Sequence, residues 1–67
     1  MSTFRALGDV ANALQSSVKS DLSFRSVSTR VLLRTGVNLR EPRPEQVKDP
    51  VAIGKVTTAL ADMGYTL

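Results

Sequence analysis

Residues 49–67 read DPVAIGKVTTALADMGYTL, and this stretch carries both ends of a helix in its own letters. Asp49 suits the N-cap, because its carboxylate accepts the free backbone N–H groups of a first turn. Pro50 suits the first helical position, where a missing donor is no loss. At about 100° per residue, Ile53, Val56, Ala59, Leu60 and Met63 fall on one stripe with Ala52 at its edge, while Gly54, Lys55, Thr58 and Asp62 lie away from it. Gly64 is placed to take the left-handed conformation that ends a helix, with Tyr65 folding back onto the last turn and a short extended tail beyond. A helix is therefore predicted over 50–63, with one face for the core and the other for solvent or a partner.

Working outward, the preceding segment 40–50 reads REPRPEQVKDP and contains Pro42, Pro44 and Pro50. It predicts a stiff, extended connection in which Pro44 opens a single helical turn over Glu45 to Lys48. Further back, Phe24, Val27, Val31 and Leu32 are spaced for a helix over 24–35 with these residues towards the core and Gly36 as its C-terminal cap. Val37 and Leu39 then read either as a short strand pairing with Tyr65–Leu67 or as a buried edge of the loop. The first segment carries Phe4, Leu7, Ala11, Leu14 and Val18 at spacings of three and four, with Val10 beside them. That pattern predicts an amphipathic helix over 3–19, capped by Ser2 or Thr3, with Arg5, Asp9, Asn12, Gln15 and Ser16 on its far side. The serine-rich link SSVKSDLS has no strong breaker to fix where this helix stops. The fold class expected is all-α: one domain over 1–67, three helices and a proline-rich crossover before the last, with a minor β element near the C-terminus as one of the two readings of Val37 and Leu39.

At 67 residues there is room for one domain, and a chain of this size buries only about 60% of the surface its unfolded form exposes. Without cysteine, neither a disulfide nor a thiolate metal site is available to staple it. The absence of cysteine and histidine also removes the usual thiol nucleophile, the commonest general base and the imidazole metal ligand. The six acidic residues form no close pair in an apolar setting of the kind general acid and base catalysis requires. Gly8, Gly36, Gly54 and Gly64 are isolated singles, not a phosphate-cradling loop. These features argue for a non-enzymatic protein with no cofactor. No apolar run approaches the roughly 20 residues that span a bilayer, and no basic-then-apolar leader is visible. A cytoplasmic location with no membrane partner is the expectation.

The net charge is +3 and the computed pI is near 10.0. Its distribution says more. Between Arg25 and Lys48 stand Arg25, Arg30, Arg34, Arg40, Arg43 and Lys48, opposed only by Glu41 and Glu45. A helix running through Leu60 into Gly64-Tyr65 and an extended segment resembles the recognition helix and first wing strand of winged-helix and helix-turn-helix DNA-binding domains. The short turn before Asp49 is similar to the turn of such a motif, although its first helix would be barely a turn long.

The resemblance implies a nucleic-acid partner. Lys55 and Thr58, with Val51 beside them, would be presented to the major groove, and Gly54 would let the backbone approach closely. Arg30, Arg34, Arg40, Arg43 and Lys48 would hold phosphates. A competing reading of Arg30 and Arg34 is a cationic C-terminal turn complementing the helix dipole. The alternative function class is a small assembly or accessory protein, such as a phage-type virion, connector or cement protein, or a protein-binding inhibitor of a larger enzyme. In that class the partner is a protein or a second copy of the chain, and a virion is the corresponding location.

Overall fold

The computed structural model describes residues 4–67. Among them are three helices, α1 (Leu7–Ser17), α2 (Asp21–Thr35) and α3 (Pro50–Asp62), and no strand. The all-α expectation holds, and each helix end has an identifiable cause.

α3 begins as its sequence predicts: the Asp49 carboxylate accepts the Val51 N–H at 3.0 Å and Pro50 occupies the first turn. It closes with Gly64 at φ 94°. The Tyr65 N–H donates to the Leu60 carbonyl at 2.8 Å and the Gly64 N–H to Ala61 at 3.0 Å, the paired bonds of a Schellman motif. This closure turns Tyr65 back against the core, as its place behind Gly64 predicts.

α2 starts earlier than the hydrophobic spacing alone suggested. Ser20 caps it, its hydroxyl accepting the Ser23 N–H at 3.1 Å, and Asp21 lies in the first turn, where a negative charge complements the dipole. Gly36, at φ 77°, ends it with an N–H bond to the Leu32 carbonyl of 2.8 Å.

α1 is shorter than the predicted 3–19. Ser2 and Thr3, expected as its caps, lie outside the described residues. The helix instead starts after Ala6, whose side chain offers no cap. The Leu7 N–H is satisfied by the Val47 carbonyl at 2.8 Å, so the proline-rich connection supplies from afar what no local side chain does. At the other end Val18 is extended, its N–H closing onto Leu14 at 3.1 Å.

The core is aliphatic. Leu7, Val10 and Leu14 of α1, Val27 and Val31 of α2, and Ala52, Ile53, Val56 and Leu60 of α3 form one buried cluster with Val37 and Leu39 from the connection. Phe4, Val18, Phe24, Met63, Tyr65 and Leu67 pack around it. The most extensive helix contact is between α2 and α3, and their shared flank becomes the candidate site.

Of the two readings of Val37 and Leu39 the buried loop edge is the one observed, and one core assignment on α2 is corrected. No β pairing joins Val37–Leu39 to Tyr65–Leu67: the Asn38 side chain accepts the N–H groups of Arg40 at 3.0 Å and Glu41 at 3.4 Å. This Asx turn bends the chain just past Leu39, the Val37 N–H is already held by Thr35 Oγ1 at 3.1 Å, and Val37 and Leu39 serve the core as a buried loop edge. Leu32, expected inside, is 37% exposed, while Ser28 takes a core position at 1% exposure. The buried stripe of α2 runs along Val27, Val31, Phe24 and Ser28, which leaves Leu32 on its flank. Residues 44–48 make the single turn expected after Pro44, held by N–H bonds from Gln46 to the Arg43 carbonyl (2.9 Å), Val47 to Pro44 (3.4 Å) and Asp49 to Gln46 (3.1 Å).

Candidate nucleic-acid interface

The site is the outward side of α3 and the ground on either side of it. Because Ala52, Ile53, Val56, Ala59 and Leu60 are buried, helical geometry turns Val51, Gly54, Lys55, Thr58 and Asp62 away from the core. All five are exposed. Between this face and the C-terminal turn of α2 runs an open groove of about 700 Å³. It is lined by Arg34 and Thr35 on one side and by Pro50, Val51, Gly54, Lys55, Thr58, Ala59 and Asp62 on the other. Arg34 and Lys55 therefore project from opposite walls of one channel, with the Thr58 hydroxyl beside them. Asp62 is the acid of that lining and stands one turn beyond Thr58, at the far end of the helix.

A second depression, of about 420 Å³, lies around the other flank of the same helix start, bounded by Phe4, Arg5, Lys48, Pro50, Ile53, Gly54 and Thr57. Pro50 and Gly54 are common to both linings. The first two turns of α3 are thus a ridge, with Lys55 on one slope and Arg34 facing it across the groove, and with Arg5 and Lys48 bordering the other slope. Asp49 at its foot is committed to the Val51 N–H.

These cations are uncommitted. The side-chain hydrogen bonds of the described residues are made by serines, threonines, Asn38 and Asp49, and none engages a lysine or arginine side chain. Exposed ammonium and guanidinium groups without protein acceptors present their full field to an approaching anion.

The structure brings together some of the residues singled out from sequence and separates others. Arg34, Lys48, Lys55 and Thr58 converge on the ridge. Arg30 lies one turn back along α2, where it borders a smaller depression with Leu22, Ser23, Ser26, Val27 and Tyr65. Arg40 and Arg43 are exposed on the connection, apart from the linings of the two flanking grooves. Arg5 is the residue that sequence reading assigned elsewhere. It was placed on the far side of α1, whereas residues 4–6 precede that helix. The tie from Leu7 to Val47 sets this segment beside Lys48, and no local spacing signals such a contact.

No family model, curated protein or solved structure matches the chain.

Proposed function

We propose that the chain is a small non-enzymatic nucleic-acid-binding protein that inserts the N-terminal half of α3 into the major groove of a duplex. The observation that carries this reading is the free outward face of α3. Lys55 and Thr58 are exposed there, with Arg34, Lys48 and Arg5 flanking them and no protein acceptor engaged. A B-form major groove is about 12 Å wide and admits one helix. A ridge with cations on both slopes suits that shape, since the base edges lie at the bottom and a phosphate strand runs along each wall.

In this reading Lys55 donates to a guanine edge or a phosphate, and Thr58 contacts a base or a thymine methyl. The bare backbone at Gly54 makes the close approach. Arg34 neutralises one phosphate strand, and Lys48 with Arg5 the other. The partial positive charge of the α3 N-terminus adds to the attraction. Docking is confined to the helix as far as Thr58, because Asp62, one turn on, would bring a carboxylate against phosphate. Arg30 extends the basic ground one turn along α2, and Arg40 and Arg43 contribute long-range field from the connection. The tight turn 44–48 takes the place of the first helix of a helix-turn-helix unit.

The test is the anisotropy of a dye-labelled duplex titrated with the protein over a range of salt. If Arg5, Arg34, Lys48 and Lys55 all meet phosphates, the log–log slope of affinity against salt is about −3 to −4, and Lys55→Ala lowers its magnitude by up to about 1. Lys19→Ala, which removes a cation outside both linings, leaves the slope where it was. Absence of binding at about 50 mM salt, or equal effects of the two substitutions, rejects the interface.

A specific observation favours the assembly class as the second reading: Leu22 and Leu33 of α2 are 76% and 81% exposed. These two leucines stand on a different face from the ridge.

A further inference from the structure

We propose that the groove beside α3 selects duplex over single-stranded nucleic acid and that Asp62 makes the selection, an inference that rests on the duplex-binding reading above. The groove follows the whole of α3, from Pro50 and Val51 past Gly54, Lys55 and Thr58 to Asp62, with Arg34 and Thr35 on the facing wall. The helix has 13 residues and is about 20 Å long. A flexible polyanion guided by the cations alone would lie along that course. One carboxylate stands against it at the far end.

Nothing inside the chain requires an acid at this place. Asp62 is the last residue of α3, and a negative charge in the last turn opposes the helix dipole. That turn holds no basic residue to offset it, since the positions three and four back are Ala59 and Thr58. The helix end is closed by the backbone N–H groups of Gly64 and Tyr65, so the carboxylate caps nothing. It is exposed and accepts no side-chain hydrogen bond among the described residues. Gly54, on the same face, also weakens the helix and is required by no contact within the chain. Two residues that cost one helix stability, both lining one groove, mark that groove as shaped for a ligand.

Among the described residues the lining contains no aromatic side chain. Proteins that hold single strands combine a basic track with aromatic platforms on which the bases stack. Without platforms, a single strand in this groove is held by its phosphates on Arg34 and Lys55, and its next phosphates meet Asp62. A duplex carries its phosphates on rigid walls instead. With α3 in the major groove as far as Thr58, the strand beside Arg34 crosses the helix and departs before Asp62, where solvent and salt screen the remaining repulsion. Asp62 therefore penalises a ligand that follows the groove and spares one that crosses it.

The test compares two dye-labelled probes, a mixed-sequence strand of about 20 nucleotides and the duplex made from it, titrated with the whole chain at about 50 mM salt. Wild type is expected to prefer the duplex. Asp62→Asn tightens single-strand binding about threefold to fivefold and moves duplex binding by less than about 1.5-fold, so the preference shrinks. Glu41→Gln removes the same charge at an exposed position outside the lining and leaves the preference unchanged. Any effect on folding stability acts on both probes alike and cancels in their ratio. A ratio indifferent to Asp62→Asn, or moved as far by Glu41→Gln, overturns the selection while duplex binding stands. So does a wild-type chain that holds the single strand as tightly as the duplex. A chain that binds neither probe rejects the duplex-binding reading itself, and the selection with it.

Discussion

Gly54 is an interior helical residue on an exposed face, and a Cβ built there meets nothing within 4 Å. Glycine costs a helix interior about 1 kcal/mol relative to alanine, and neither packing nor backbone conformation inside this chain requires it. Gly54→Ala is expected to raise unfolding stability by about 1 kcal/mol in urea titration. If the bare backbone is there to meet a duplex, the same substitution lowers duplex affinity about tenfold, or about 1.4 kcal/mol. A stabilised variant with unchanged affinity would move the interface elsewhere. Ser28 poses the opposite case. Its hydroxyl is buried and has no hydrogen-bond partner, and a buried hydroxyl left unpaired carries a desolvation cost of about 1–3 kcal/mol. Ser28→Ala removes that cost and favours the helix, so a gain of about 1 kcal/mol is expected from the urea midpoint. A loss would show that the hydroxyl has a partner in solution.

At the scale of elements, capping separates stability from recognition. Asp49→Ala removes the acceptor of the Val51 N–H and is expected to cost about 1 kcal/mol. It also removes a carboxylate from the foot of the basic ridge, so the fraction that is folded should hold a duplex more tightly. Ser20→Ala deletes the corresponding cap of α2 at a similar cost of about 1 kcal/mol, yet leaves duplex affinity alone, since Ser20 lines neither groove beside α3. Matched urea and anisotropy titrations of the two variants check this pair. Equal effects on affinity would mean that capping acts through folding alone. The same elements show what the sequence made legible. The limits and faces of α3 follow from Asp49, Pro50, Gly64 and a stripe of apolar residues, all local signals. The start of α2 was equally local in Ser20 and Asp21, but apolar spacing placed it at Phe24, where the hydrophobic pattern becomes visible. The start of α1 was not local at all, because its first N–H is satisfied by Val47, 40 residues along the chain. For that reason the Arg5–Lys48 slope of the ridge emerged only in three dimensions, whereas Lys55 and Thr58 could be picked from helical phase alone.

At the scale of the whole molecule, the decisive quantity is how stability couples to an anionic partner. A 67-residue chain held by an aliphatic core without cross-links is expected to be marginally stable. Any ligand that binds only the folded form should therefore move its melting temperature visibly. A duplex at 100 times its dissociation constant adds about 2.7 kcal/mol, and for a domain of this size each kcal/mol shifts the midpoint by about 4–8 °C. Thermal unfolding at low salt with saturating duplex should accordingly move up by about 10–20 °C. The increment should shrink steeply as salt is raised, because every phosphate contact gives up its counterion advantage. Scanning temperature over a grid of salt and duplex concentrations therefore tests the basic flank of α3. A duplex-dependent shift that persists at about 0.5 M salt would mean that apolar contacts, not the cations flanking α3, hold the partner.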